Sequence, residues 1–347
     1  MNSQNTITTC ESACQKPARQ QGLRTLHSTR LVAHLALPYG RASDTWAQLT
    51  VKRLLSLAAL CVLGLTATVT LKAQDKETTR KLWDTAFIDP GNKKSSPRKP
   101  AKRSYRIATP NVPTAGVNAE TVVGVTLWRL RRATSTDSGE RLIVHEGADA
   151  AEWLPQRISA NTRLDQGDRL RISVEAARTG YLYVVDREQY ADGSFSEPYL
   201  IFPTTRTLGG NNQVTVGKIT ELPGRADRPP FFTVKRSRSD QVAEVLSVLI
   251  SPSPLEGIEI TDQAQKLSEA QVGKWEKSWG ARVGLLELEA GAGKPWSREE
   301  KEAGSGIAKV LKSDAPPPQG IYYQPNTKSN DPILVKVRLR YGYSAKR

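Results

Sequence analysis

The sequence predicts a mainly β chain: an antiparallel β-sandwich, Ig-like or related, with one appended helix over 262–279 and a disordered N-terminal region. Three observations carry this. From Gly167 to Pro203, three apolar runs are separated by Gly and Asp-Gly punctuation, as consecutive antiparallel strands are. Val245 to Ile250 is apolar on both faces, which places it centrally in a sheet. Val335, Val337, Leu339 and Tyr341 alternate strictly with Lys336, Arg338 and Arg340, so Ile333 to Tyr341 reads as a closing strand.

The remaining elements follow in order. Val123, Val125 and Leu127 alternate with Gly124, Thr126 and Trp128 in a first strand, and Leu142-Ile143-Val144 reads as its hairpin partner. Leu170, Ile172 and Val174 alternate with Arg169, Arg171, Ser173 and Glu175, which predicts one buried and one wet face. Gly180 leads into Tyr181 to Val185, Asp192-Gly193 is a hairpin-turn signal, and Tyr199 to Phe202 ends at Pro203. Gly209 to Asn212 turns the chain before Val214 and Val216, and Phe231 to Val234 is a further strand. In the helix, Asp262 and Gln265 form the expected capping pair and Gly280 the stop. Val283 to Leu288 returns to strand, and Ala290 to Ser313 is loop-like with a short charged helix near Arg298.

The 347 residues carry a net charge of +15, but it is unevenly placed. Residues 1–73 hold 8 Lys/Arg against 2 Asp/Glu, residues 74–106 hold 10 against 4, and residues 107–347 hold 32 against 29. A nearly balanced main domain argues against nucleic acid as the partner, which needs clustered charge on a folded face. Lys52 and Arg53 precede an apolar run from Leu54 to Leu71 and a small residue, Ala73. That is the pattern of a secretory signal peptide over 51–73, which exports the chain to the periplasm or beyond, or anchors it to the membrane if uncleaved. Fifty residues precede the segment, so translation is expected to start at Val51, with residues 1–50 a gene-model artefact or a disordered extension. Cys10, Cys14 and Cys61 all precede the expected cut, so no disulfide is expected in the exported part. Residues 74–120 read as a basic disordered linker, in which Lys93, Lys94, Arg98, Lys99, Lys102 and Arg103 offer contact with an anionic membrane surface. Trp83, Phe87 and Ile88 interrupt its polarity as a short docking element. Residues 121–347 form the main domain.

Gly167-Asp-Arg-Leu-Arg-Ile172, Gly180-Tyr-Leu-Tyr-Val184 and Leu200-Ile-Phe-Pro203, in that order, resemble a bacterial family of domains of unknown function. Those domains occur in secreted proteins and are sometimes appended to kinases or caspase-like peptidases. The likeness covers about residues 122–255. It implies a β-sandwich accessory domain in the envelope or in signalling and carries over no catalytic residue. The segment Arg187 to Ala191 and the long stretch after Pro254 depart from the family's spacing.

Catalytic motifs are sparse. After cleavage His145 is the one histidine, which leaves no zinc set and only one candidate base for a serine triad. Gly291-Ala-Gly-Lys294-Pro-Trp296 lacks the earlier glycine of a phosphate loop, and Pro295 replaces its Ser or Thr. Asp186 and Asp192 lack the alternating acids of a calcium loop. No cofactor and no metal are expected. Tyr181, Tyr183, Tyr190 and Tyr199 are the candidate ligand surface, because tyrosine is amphipathic. The sequence therefore points to an exported, non-enzymatic binding or structural module with an envelope protein or polysaccharide partner. A carboxylate-dependent hydrolase of an envelope polymer, marked by two facing carboxylates in a cleft, and a regulatory partner of an envelope complex are the alternatives.

Overall fold

The computed structural model describes residues 104–342, apart from 110, 114–115, 147–148, 305–315, 326 and 329, together with Phe87. The expected leader, the expected start at Val51, the three cysteines and the six linker cations lie outside these residues. Strands numbered in chain order build two sheets. The first runs β1 (Tyr105–Ile107), β14 (Gly284–Leu288), β15 (Gly320–Pro325), β2 (Val117–Arg132), β4 (Asp149–Ile158), β3 (Leu142–Glu146). Along the other side of β2 lies β6 (Arg169–Ala176), which also pairs with β10 (Ile219–Leu222) and β11 (Phe232–Thr233). The second sheet runs β13 (Gln265–Lys266), β8 (Tyr199–Phe202), β7 (Gly180–Tyr190), β12 (Gln241–Ser251), β16 (Ile333–Tyr341), β5 (Arg163–Leu164), with β9 (Gln213–Val214) also on β7. The pairs are antiparallel except β5–β16, which is parallel, so the second sheet is mixed rather than purely antiparallel.

One apolar cluster draws on both sheets. Val123, Val125 and Leu127 of β2 and Leu170, Ile172 and Val174 of β6 share it with Leu182 and Val184 of β7, Leu246, Val248 and Ile250 of β12, and Val335, Val337 and Leu339 of β16. Each large aliphatic side chain buried there contributes about 1.5–3 kcal/mol. β12 is central as its two apolar faces predict: β7 pairs along one side and β16 along the other. Its outward Leu249 meets Leu267, Val272 and Trp275 from the helix region.

That helix, α1, spans Glu269–Trp279, not 262–279. Gln265 and Lys266 pair instead with Leu200 and Tyr199, and Asp262 sits outside, 3.2 Å from Arg206. Ser268 is the cap: its hydroxyl oxygen accepts from the Gln271 amide at 3.1 Å. Strand pairing at 265–266 overrides the earlier capping pattern, whereas Gly280 ends the helix as expected. Ser268→Ala should destabilise the fold by about 1 kcal/mol in urea denaturation, since it orphans one first-turn amide.

Two further expectations are corrected. β3 pairs with β4, and β4 with β2, so Leu142-Ile143-Val144 is one strand removed from its expected partner. β6 does not have a wet face: Arg171, Ser173 and Glu175 are buried along with its aliphatic side chains. The loop-like segment after Ala290 covers Arg171 and Trp128 through Trp296. Trp296, only 2% exposed, lies 6.3 Å from the Trp128 ring, with the Arg225 guanidinium 4.7 Å and the Arg171 guanidinium 5.9 Å from its centroid. Trp128 sits in register between Arg157 and Arg171, and its indole N–H donates to Ser173 Oγ at 2.8 Å. The short helix α2 (Arg298–Ala303) starts at a capping box in which Ser297 and Glu300 bond reciprocally. Glu300 also accepts from Arg157, and Glu221 accepts from Arg171 at 2.9 Å and Arg225 at 3.1 Å. Arg171 with Glu221 and Arg157 with Glu300 are thus buried in pairs, as desolvated ions must be.

Phe87 is fully buried beside Tyr105, Val122, Leu286 and Tyr323. Among the described residues no helix is long and apolar enough to cross a membrane.

Candidate functional site

On a β-strand, alternate side chains share a face. The inward face of β7 reads Leu182, Val184, then Asp186, Glu188 and Tyr190. That of β12 reads Ile250, Val248, Leu246, then Glu244. That of β16 reads Val335, Val337, Leu339, then Tyr341. Register aligns the changes: Asp186 is opposite Leu246, and Glu244 lies between Glu188 and Leu339. Three neighbouring strands therefore exchange aliphatic for acidic or phenolic groups at one end of the core. Across from them stand Leu170 and Ile172 of β6 and Phe232 and Thr233 of β11, leaving a cavity of about 210 Å³ into which Asp186 and Glu244 project.

The carboxylates have hydrogen-bond partners but no cations. Tyr341 donates its hydroxyl to Glu244 Oε1 at 2.5 Å, Tyr190 donates to Glu188 Oε2 at 2.8 Å, and the Ser237 hydroxyl donates to the same Glu188 oxygen. Asp186 Oδ1 is buried and has no hydrogen-bond partner. Arg238 is held by Asp240 at 2.7 Å and lies 4.0 Å over the Tyr190 ring, and Arg236 lies 5.2 Å over the Tyr341 ring. Among the described residues, none of the three carboxylates has an ion-pair partner.

Burial, followed by repulsion from Glu244 and Glu188, pushes the Asp186 carboxyl up to about 8. Burial also raises Glu244, with the Tyr341 hydroxyl opposing it, and raises the Tyr341 phenol, helped by the Glu244 charge. The consequence for stability has a definite sign. The folded state holds a proton on Asp186 that the unfolded state releases near the ordinary carboxylate value of 3.8. The contribution of Asp186 to stability is therefore fullest below pH about 4 and is lost as the pH rises towards about 8. Asp186→Asn should raise stability at pH 9 by at least about 1.4 kcal/mol, the worth of one pKa unit, and leave it little changed at pH 4. Urea denaturation at the two pH values measures this.

The four tyrosines of the expected ligand surface occupy three settings. Tyr181 and Tyr183 face outward from the second sheet, and the Tyr183 hydroxyl accepts the Leu255 amide at 2.9 Å. Tyr190 faces inward beside the acidic cavity, and Tyr199 is 40% exposed on β8. Tyr190 alone joins the site, and Asp186, Glu188, Glu244 and Tyr341 are additions to it. The interrupted alternation on each strand is a sequence signal, but only the register shows that the three interruptions meet.

Other motifs resolve structurally. The backbone of the Gly291–Lys294 turn is bonded to β4: Gly293 N donates to Arg157 O at 2.8 Å, and Arg157 N to Lys294 O at 2.9 Å. Asp192 accepts the Ser194 amide at 2.9 Å in the expected turn, where Gly193 alone takes a positive φ, of 86°. His145 is exposed near the end of β3. Among the described residues no group of three or more His, Cys, Asp or Glu side chains is placed to hold a metal ion. The exposed large apolar side chains Ile143, Phe195, Tyr199 and Ile260 come from four separate segments.

Comparison of the chain with protein-family models, with curated proteins and with solved structures gave no match.

Proposed function

We propose that this chain is an exported, non-enzymatic binding module of a bacterial envelope, an Ig-like or related β-sandwich whose ligand enters at the Asp186–Glu244 end. The export reading rests on the signal-like segment 51–73 and on the likeness of residues 122–255 to secreted bacterial domains. The ligand class rests on one observation: half-buried carboxylates, with no ion-pair partner among the described residues, lining a mostly apolar cavity into which an unpartnered Asp186 oxygen is buried. An ammonium group on a short aliphatic stem meets both requirements, since its charge pairs with Asp186 and Glu244 while its stem displaces water from Leu170, Ile172 and Phe232.

Binding an ammonium ion requires Asp186 to lose its proton. Affinity for the probe n-butylammonium should therefore rise as the pH increases towards about 8, with proton release that scales with the buffer's ionisation enthalpy in calorimetry. Asp186→Asn should weaken binding at least about tenfold, a loss of about 1.4 kcal/mol. No binding at any pH, or equal binding by the variant, would contradict the ligand assignment. Export is tested separately: fractionation should place a C-terminally tagged chain outside the cytoplasm, and retention within it would contradict the reading.

The pair of carboxylates in one cavity favours the hydrolase as the second reading. Against it, Asp186 and Glu244 are shifted in the same direction, whereas an acid and a base are prepared by shifts that separate them. A cavity of about 210 Å³ also admits one small group rather than a run of polymer. Release of reducing ends or amines from an envelope polymer, abolished by Asp186→Asn, would establish the hydrolase instead.

A further inference from the structure

Strand β16 has two unequal sides. β12 pairs with it from Ile333 to Arg340, whereas β5 pairs on the other side only at Arg340 and Tyr341. The Leu334 carbonyl is taken by Gln324 Nε2 at 2.8 Å. From Val335 to Leu339, no strand pairs on that side among the described residues. Beside this stretch runs a groove of about 430 Å³, with Val283, Leu285 and Tyr322 of the first sheet in its wall and Lys336, Arg338 and Arg340 along it. A second depression of about 400 Å³ continues past Arg340 and adds Arg163 and Arg236. Lys336 is paired with Glu276 at 2.8 Å, but Arg338 and Arg340 have no ion-pair partner among the described residues and are exposed.

We propose that this open edge of β16 takes an extended acidic peptide from a partner protein as an added strand, in the row that β5 begins. Three features select that occupant. The unpaired strand edge supplies backbone donors and acceptors, which an extended peptide matches and a polysaccharide does not. The cations recur every second residue, about 6.6–6.8 Å apart, which is the repeat of alternate side chains on a neighbouring strand. Val283, Leu285 and Tyr322 make an apolar strip in the groove wall, so the intervening peptide residues should be aliphatic. The partner motif is thus an alternation of Glu or Asp with Val, Ile or Leu over about five residues. This site is separate from the Asp186 cavity and does not depend on what binds there. Charged edges also serve merely to repel stray strands, and that role is the competing outcome.

The test uses the full chain and a fluorescent heptapeptide, Glu-Val-Glu-Val-Glu-Val-Glu, read by anisotropy. The expected result is binding at least tenfold tighter than to a peptide of the same composition with its valines grouped. Backbone N-methylation on alternate residues of the probe should remove that preference, and Arg338→Glu/Arg340→Glu should weaken binding at least tenfold. If the double variant fails to fold, Arg338→Gln should still weaken binding severalfold with an unchanged near-ultraviolet circular dichroism spectrum. Absence of binding would mean that the edge is a guard only. Equal binding of the grouped and N-methylated peptides, with full competition by polygalacturonate, would mean a generic polyanion surface. Either result overturns the proposal.

Discussion

Trp296→Ala should destabilise the protein by about 3–5 kcal/mol, the range for removing a large buried aromatic from a core. Trp296 is far from the central apolar cluster in chain position, yet it is among the largest fully buried side chains. It covers Trp128 and receives the Arg225 and Arg171 guanidinia on its ring. Its loss would open a cavity and admit water to Arg171 and Glu221. Chemical denaturation measures the change, and a loss below about 1 kcal/mol would mean that residues 291–304 lie loosely on the first sheet. Trp296→Phe should recover part of the loss, because it retains a ring beneath Arg225.

Glu221→Ala should destabilise by a similar amount, about 3–5 kcal/mol, for an electrostatic reason. Glu221 holds two arginines, Arg171 at 2.9 Å and Arg225 at 3.1 Å, and Arg171 is 2% exposed. Burial already lowers the Arg171 pKa against the favourable charge of Glu221, so without that charge the guanidinium is left uncompensated. The double variant Glu221→Ala/Arg171→Met should be more stable than Glu221→Ala alone, because the stranded charge is gone. A double variant no better than the single would show that Glu221 acts through packing. Similar reasoning applies to Arg157 and Glu300, which join β4 to α2.

These two variants probe what the sequence concealed most completely. Alternation on β6 is plain, and it correctly set Leu170, Ile172 and Val174 inward. It could not show that Arg171 is also buried, because Trp296, which covers it, comes from a segment more than a hundred residues later with no periodic pattern. β4 was hidden for a related reason. Asp149–Ile158 contains Glu152, Pro155, Gln156 and Arg157, which break any apolar alternation, but Pro155 sits opposite Leu130 and Arg157 is satisfied by Glu300. β15 escaped notice because Gly320–Pro325 is short and follows prolines. Where a pattern was strong and local, the reading held: β12 lies centrally, α1 stops at Gly280, and a short helix begins at Arg298. The start of α1 was missed because two patterns compete there, and pairing of Gln265 with Leu200 prevails.

The candidate site was legible only in pieces. Tyr190 was singled out for its chemistry, while Asp186 was weighed only as a calcium ligand. Asp186, Glu244 and Tyr341 each interrupt an aliphatic alternation, and each interruption alone suggests no more than a strand end. Their convergence depends on the β7–β12–β16 register, which is set by pairing between residues about 50 to 100 apart in sequence. The orphaned Asp186 oxygen and the raised carboxyl both follow from that convergence.

The protonation of Asp186 decides whether this end of the core is a ligand pocket, and carbon-13 NMR of its side-chain carboxyl across pH 3 to 10 measures it. The predicted result is a midpoint near 8 in the free protein, moving down when n-butylammonium is added and disappearing in Asp186→Asn. A midpoint near 4, unmoved by the amine, would contradict the account, because it would mean a solvated carboxylate at a strand end and no ligand pocket between the sheets.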